Sequence, residues 1–331
     1  MTSYNIYGIG GAIMDTEVEV SDKFLTDAKI DKGVMTLVDE SRQRMLLDAL
    51  SSEDLILVKK CGGSVCNSVV AASSLGSKVF FSGKVADDAD GELYVSDLNR
   101  AGVDFHSSGR DPGTTGKCLV MVTKDAERTM NTFLGASDTL SSKEIDKDAL
   151  KNSEWFYVEG YLVTDEARTV AIKEAVEFAK EQGVKIAISL SDPFVVDAFG
   201  DSLREVMGDG VDLVFCNRDE ALAFTGTDNL DSAIEKLKMI TKSFAITDGA
   251  NGAITFDGES VTRSESVSAK AIDTNGAGDM FAGAFLYAIT SGRGYDWAAK
   301  LANDCASRVV AKFGPRLESD DFDAIKAKFG I

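Results

Sequence analysis

Six short apolar runs punctuate the chain, at Asn5–Ile9, Lys78–Phe81, Trp155–Val158, Val184–Leu190, Val211–Cys216 and Phe244–Thr247. Several of them stop at glycine or a polar residue, the pattern of short strands. Helical periodicity fills many of the intervals, over Ala167–Glu181, Leu230–Ile240 and Gly294–Ala311. In the first of these, Ala171, Ala175, Phe178 and Ala179 share one face, and Lys173, Glu174, Glu177, Lys180 and Glu181 fall on the other. Alternating strands and helices predict an α/β fold with a mainly parallel sheet covered on both faces. Such sheets bind ligands beyond the carboxyl ends of their strands.

Two stretches break this rhythm. Glu17–Val20 and Val34–Val38 precede the first long helical pattern, while Lys117–Thr123 and Arg128–Phe133 form a hairpin about the turn Lys124-Asp125-Ala126-Glu127. These four segments predict a small sheet projecting from the core, with boundaries near residues 16–40 and 105–135. It is read either as a lid or as an edge extension or dimer surface. No repeat, low-complexity tract or long linker appears, so residues 1–331 are taken as one domain carrying an insertion.

Composition narrows the function classes. The 331 residues are 44% hydrophobic and 27% charged, as in an ordinary globular chain. The net charge of -19, from 54 acidic and 35 basic residues, disfavours nucleic acid and anionic membranes as partners. The N-terminus MTSYNIYGIGG lacks a secretory pattern and no apolar run is long enough to cross a bilayer, so a cytoplasmic protein is expected. Five cysteines, Cys61, Cys66, Cys118, Cys216 and Cys305, contain no CxxC pair and read as reduced core residues. A single histidine, His106, rules out a multi-histidine metal cluster within this chain and makes a carboxylate the expected general base.

The strongest local signal is Asp273-Thr274-Asn275-Gly276-Ala277-Gly278-Asp279, followed at once by a helical pattern. Small residues at 276–278 let backbone amides approach a ligand, and a helix start there favours phosphate. Asp279 then reads either as a cap or as a general base for a substrate hydroxyl, with the amides stabilising a transferring phosphoryl group. The P-loop lysine and Ser/Thr are missing.

This segment resembles the C-terminal signature of the ribokinase-like (PfkB) carbohydrate kinase family. The resemblance implies that Asp279 is the catalytic base and that Gly276, Ala277 and Gly278 form the anion hole. Gly62-Gly63-Ser64-Val65-Cys66-Asn67 is similar to the family's N-terminal motif, which places Gly62, Gly63 and Asn67 at the substrate. Asp15, after the first strand and the turn Gly8-Ile9-Gly10-Gly11, takes the family's role of binding paired sugar hydroxyls. Asn217-Arg218-Asp219-Glu220 matches the Asn-x-x-Glu motif that organises Mg2+, its waters and the triphosphate, with Glu220 acting through water.

Thr247, Gly249 and Gly252, in Thr247-Asp248-Gly249-Ala250-Asn251-Gly252, resemble the nucleotide-side turn. Thr274 and Asn303 complete the implied ATP contacts, and Phe313-Gly314-Pro315-Arg316 reads either as a closure of the nucleotide side or as a helix stop. The motifs stand in the family's order along nearly the whole chain. They imply a three-layer α/β/α core with a small β-sheet lid, ATP and Mg2+ as cofactors, and a lid that pairs to form homodimers in some members; they leave monovalent-cation activation open.

The stretch Arg128–Ala136 is similar to bacterial members regarded as adenosine-kinase-like or general sugar kinases. Phe133 and Leu134 either cover a nucleobase or fill the hinge between lid and core. The expected reaction is transfer of the ATP γ-phosphoryl group to a primary hydroxyl of a nucleoside, adenosine foremost. The alternatives are a kinase of ribose, fructose or a keto-deoxy sugar acid, and a nucleotide-binding regulatory protein with little turnover. The early glycines lack the continuation of a dinucleotide fingerprint, which argues against an oxidoreductase.

Overall fold

The computed structural model describes residues 3–51, 58–106, 110–125 and 127–331. In chain order its strands are β1 (Tyr4–Ile9), β2 (Ile13–Glu19), β3 (Met35–Leu37), β4 (Val58–Cys61), β5 (Val79–Ser82), β6 (Val103–His106), β7 (Gly116–Val122), β8 (Arg128–Phe133), β9 (Ser153–Val158), β10 (Lys185–Ser189), β11 (Leu213–Asn217), β12 (Phe244–Thr247), β13 (Ala253–Phe256) and β14 (Val261–Ser264). The six predicted strands of the core are all present.

The large sheet has the order β14-β13-β12-β11-β10-β9-β1-β5-β6. It is parallel from β6 to β12, and β13 and β14 add an antiparallel edge. Side chains alternate strictly between its two faces. Trp155 and Tyr157, Leu213 and Phe215 join one core with the helices Ser64–Leu75, Ala277–Thr290 and Tyr295–Val309. Phe156 and Val158, Val214 and Cys216 join the other with the helices Glu166–Glu181, Pro193–Met207 and Leu230–Ile240. Period-two alternation of apolar residues on both sides is what forces helices onto both faces. Each fully buried Phe, Leu or Val contributes roughly 1.5–3 kcal/mol to holding the layers together.

The second sheet, β3-β8-β7-β2-β4, differs from the sequence expectation in its limits. β2 begins at Ile13, only three residues beyond β1, so Asp15 sits on a strand of the small sheet. β4 also belongs to it, whereas Val103–His106 joins the large sheet. The β7–β8 hairpin is as expected; Ala126 of its turn and the side chain of His106 lie outside the described residues.

Val18, Val20, Leu119 and Met121 on one face of the small sheet are closed over by Phe24, Leu25, Leu46 and Leu50 of the chain's own helices. The other face, with Ile13, Asp15, Cys118, Val120, Met130 and Thr132, looks onto the core and covers its cleft. All five cysteines are buried and free. Among the described residues no helix is long and apolar enough to cross a membrane.

Candidate active site

A cleft of about 1020 Å3 opens where the carboxyl ends of β1, β9, β10, β11 and β12 meet the small sheet. The strand order reverses between β1 and β9, the place where open α/β sheets present a crevice. Glu159, directly after β9, accepts from the amides of Gly11 (3.0 Å) and Val65 (3.0 Å). One buried carboxylate therefore ties the β1–β2 turn to the start of the Ser64–Leu75 helix. Burial pushes its pKa up to about 7, against the two amide hydrogen bonds. Sequence reasoning missed Glu159 because no motif surrounds it; its position immediately beyond a core strand was the available signal.

Asp279 lies in the first turn of the Ala277–Thr290 helix. That helix packs on Ser64–Leu75 at Gly283, where a Cβ would come within 2.2 Å of the Ser68 carbonyl oxygen. The close approach brings Asn67 Nδ2 to donate to Asp279 Oδ2 at 2.8 Å. Two motifs 212 residues apart thus share a hydrogen bond. Burial raises the Asp279 pKa; hydrogen bonding from Asn67 and the charges of Arg128 and Arg316 oppose the rise. Gly276, the helix N-cap, has φ +75°, and a Cβ there would meet the Pro315 carbonyl oxygen at 2.1 Å.

Gly278 and Asp279 line the cleft, and their amides, at a helix N-terminus, meet no backbone acceptor among the described residues, an arrangement suited to an anion. Asp273 braces this turn from below. Its two carboxylate oxygens accept from the amides of Asn275 (2.9 Å) and Gly314 (3.0 Å).

Asp15 is buried against Gly62, where a Cβ would come within 2.1 Å of Oδ2. Burial raises its pKa well above the ordinary carboxylate range. Glu17 and Asp279 add to the rise, and Arg316 and Arg128 oppose it. Gly63 and Asn67 stand beside it in the cleft wall. Thr132 and Leu134 line both the cleft and an adjoining cavity of about 570 Å3, whereas Phe133 lines only the second, with Leu37 of the small sheet and Lys84 and Thr139 of the core, as the hinge reading expects. Strand alternation explains this, since neighbours of Thr132 on β8 face the opposite side.

At the other end, Asn217 and Glu220 form a reciprocal cap. Glu220 N donates to Asn217 Oδ1 (2.8 Å), and Asn217 N and Nδ2 donate to Glu220 Oε2 (3.0 Å) and Oε1 (2.7 Å). Burial pushes the Glu220 pKa up to about 7, offset in part by the Asn217 amide. Thr247, Gly249, Gly252 and Thr274 line this end. Asn303 does too, but its Nδ2 is engaged with the carbonyl oxygens of Ser264 (3.4 Å) and Glu265 (3.0 Å), so it also ties down the 264–265 loop. Two further residues escaped the sequence reading. Arg128 reaches across from β8 to Asn275 Oδ1 (3.1 Å), and Asn275 Nδ2 donates to the buried Glu17 of β2 (3.1 Å). The small sheet is thereby latched to the anion-site turn.

Residues 28–321 match the model of the pfkB family of carbohydrate kinases. The chain belongs to that family. It is an ATP-dependent carbohydrate or nucleoside kinase. Its fold superposes on an adenosine kinase from Sinorhizobium meliloti with a TM-score of 0.91, at 36% identity over 98% of this chain and 99% of that one. A probable sugar kinase from Rhizobium etli CFN 42 gives a TM-score of 0.92, at 32% identity over 99% of this chain and 100% of that one. The adenosine kinase of Saccharomyces cerevisiae is 26% identical over 94% of this chain and 96% of its own length.

Proposed function

We propose that this pfkB-family kinase phosphorylates the primary hydroxyl of a nucleoside, adenosine foremost, with Asp279 as general base. The observation that carries the acceptor class is the contrast within one cleft wall. Asp15, buried and without a hydrogen-bond donor among the described residues, stands beside Asn67 and suits two adjacent hydroxyls. Among the other lining residues Ile13, Leu37, Val120, Met130, Leu134 and Leu162 are apolar and stand among Arg128, Thr132 and Ser137. A free sugar would turn hydroxyls toward that wall and leave them unpaired at a cost of about 1–3 kcal/mol each. A nucleoside would set its diol on Asp15 and its base against the apolar side chains. The similarity to an adenosine kinase at 36% identity supports this reading, and the similarity to a probable sugar kinase keeps a free sugar as the second.

In this reading Asp279 takes the hydroxyl proton as the new P–O bond forms and the bond to the departing ADP breaks, and the amides of the turn Gly276-Ala277-Gly278, foremost that of Gly278, which has no backbone acceptor among the described residues, hold the charge of the transferring group. Asn217, Glu220, Thr247, Gly249, Gly252 and Thr274 face the nucleotide. Each Glu220 oxygen already accepts a hydrogen bond from Asn217, which fits a carboxylate that holds metal-bound water better than one that ligates Mg2+ directly. Bound with the triphosphate, Mg2+ supplies charge neutralisation. ADP formation from Mg-ATP, measured with adenosine, inosine, ribose, fructose and a keto-deoxy sugar acid as separate acceptors, tests the proposal. Turnover greatest with adenosine supports it, and a preference for a free sugar overturns the acceptor class.

A further inference from the structure

We propose that Arg316 is a positioning residue for the catalytic base, acting through Asn67; the proposal rests on the reading of Asp279 as that base. Arg316 is 249 residues from Asn67 in the chain, yet its Nε donates to Asn67 Oδ1 at 2.7 Å. The same guanidinium donates through Nη1 to Asp97 Oδ2 at 2.7 Å and through Nη2 to Cys66 Sγ at 3.2 Å. With Asp97, on the Ala89–Arg100 helix, it makes an ion pair whose side chains are only 12% and 17% exposed. The three acceptors fix the plane of the fork, a task for which the compact ammonium of lysine has no equivalent geometry.

The consequence lies in the asymmetry of an amide. An asparagine side chain can present either oxygen or nitrogen in one direction, and its partners decide which. Because Arg316 can only donate, Asn67 must turn Oδ1 toward it, and Nδ2 then points at Asp279 Oδ2, 2.8 Å away. The carboxylate keeps its orientation, and the hydrogen bond favours its charged form against the rise that burial causes. Turned the other way, the amide oxygen would face the carboxylate and repel it.

The loop that carries Arg316 braces the other half of the site as well. Gly314 N binds Asp273, and the Pro315 carbonyl packs on Gly276 at the start of the catalytic helix. Phe313–Arg316 therefore clamps base and anion site together, which gives this C-terminal segment a role beyond stopping a helix.

Other charged or titratable groups also face Asp279: Arg128 of β8, Asp15 of β2, Tyr157 of β9 and Glu159 beyond it. A pH profile must therefore be compared between variants rather than read alone.

The test is a double-mutant cycle of Arg316→Met and Asn67→Ala, with kcat corrected by active-site titration and followed against pH using the acceptor that turns over best. Arg316→Met is expected to lower kcat by about 10- to 100-fold, the scale of a misplaced reacting group, and to move the acid limb of kcat to higher pH. Added to Asn67→Ala it should cost less than threefold more, because the two act through one hydrogen bond.

Arg316→Lys should keep the charge but recover only part of the rate. If Arg316→Met unfolds the chain, Asp97→Asn, which frees the fork from its anchor, should show the same limb shift to a smaller degree. Additive losses with an unmoved acid limb would overturn the positioning role and leave a merely structural arginine. Full turnover by Asp279→Asn would instead sink the general-base reading, and the positioning role with it.

Discussion

At the end of the cleft proposed for the nucleotide the polar side chains are already engaged within the protein: Asn217 with Glu220, Asn303 with the 264–265 loop, Asp273 with the Asn275 and Gly314 amides. At the end proposed for the acceptor, Asp15 is buried and has no donor from the described residues, and the lining includes the apolar Ile13, Val120, Met130 and Leu134. The difference teaches where specificity resides. In the proposed reading a triphosphate offers the same charges in every kinase of this kind, so backbone amides and self-capped side chains that stand ready before it arrives suit it. The acceptor must bring its own hydroxyls to satisfy Asp15, and a ligand lacking them leaves a buried carboxylate unpaired.

Removing Asp279, the proposed base between the two ends, is the largest expected effect. Asp279→Asn should lower kcat by about 100- to 10,000-fold, the usual worth of general base catalysis, with ATP binding by calorimetry unchanged. An ATP affinity that collapsed with it would mean that Asp279 belongs to the nucleotide end.

Next, Asp15→Ala should raise KM for the acceptor about 10- to 100-fold, as hydrogen bonds to two hydroxyls are lost, and leave KM for ATP within twofold. Equal changes in both constants would erase the distinction between the ends.

The anion site itself separates packing from function. A Cβ at position 278 would meet nothing within 4 Å, whereas at 276 it would strike Pro315. Gly278→Ala should therefore slow turnover, with stability changed by about 1 kcal/mol or less, the ordinary cost or gain of Gly→Ala without strain. Gly276→Ala, at φ +75°, should lower the melting temperature as well. Equal stability losses in both would contradict the open space at 278.

The smallest effect concerns pH. Glu17, Glu159 and Glu220 have pKa values pushed up to about 7, mainly by burial. In the unfolded chain such groups titrate near ~4.3. The fold therefore binds more protons than the unfolded chain between these values, and their contribution to stability falls as pH rises through that window. Glu17, whose Oε2 has no hydrogen-bond partner, should show it best. Glu17→Gln is expected to raise the melting temperature at pH 8 by about 2–4 °C, with little change at pH 5. A variant less stable than the parent at pH 8 would refute this.

The core was legible in the sequence because its strands are buried on both faces and so read as apolar runs. Strand β4, with Lys59 and Lys60, and the edge strand β14, with Thr262 and Arg263, carry no such run; β13 does, as Ala-Ile-Thr-Phe, but its four residues follow a turn motif closely and the sequence reading passed over all three. Asp15 was found by motif, yet its strand was not: only Gly10, Gly11 and Ala12 separate β1 from β2, too few to signal a change of sheet. The local motifs at 62–67, 217–220 and 273–279 announced themselves because a phosphate-binding turn or a helix cap requires particular residues in succession. Glu159, Arg128 and Arg316 act across 94, 147 and 249 residues of chain, and no short spacing encodes contacts made only by folding. Of the two readings of Phe133, its absence from the cleft lining and its place beside Leu37 and Lys84 fit the hinge rather than the cover of a base.

The most direct measurement is 31P NMR of the product formed from adenosine and Mg-ATP by the parent chain and by Asp279→Asn. The account predicts a 5'-phosphate monoester appearing with ADP in equal amounts, and neither in the variant. Phosphate on another hydroxyl, release of free phosphate, or undiminished product from Asp279→Asn would contradict it.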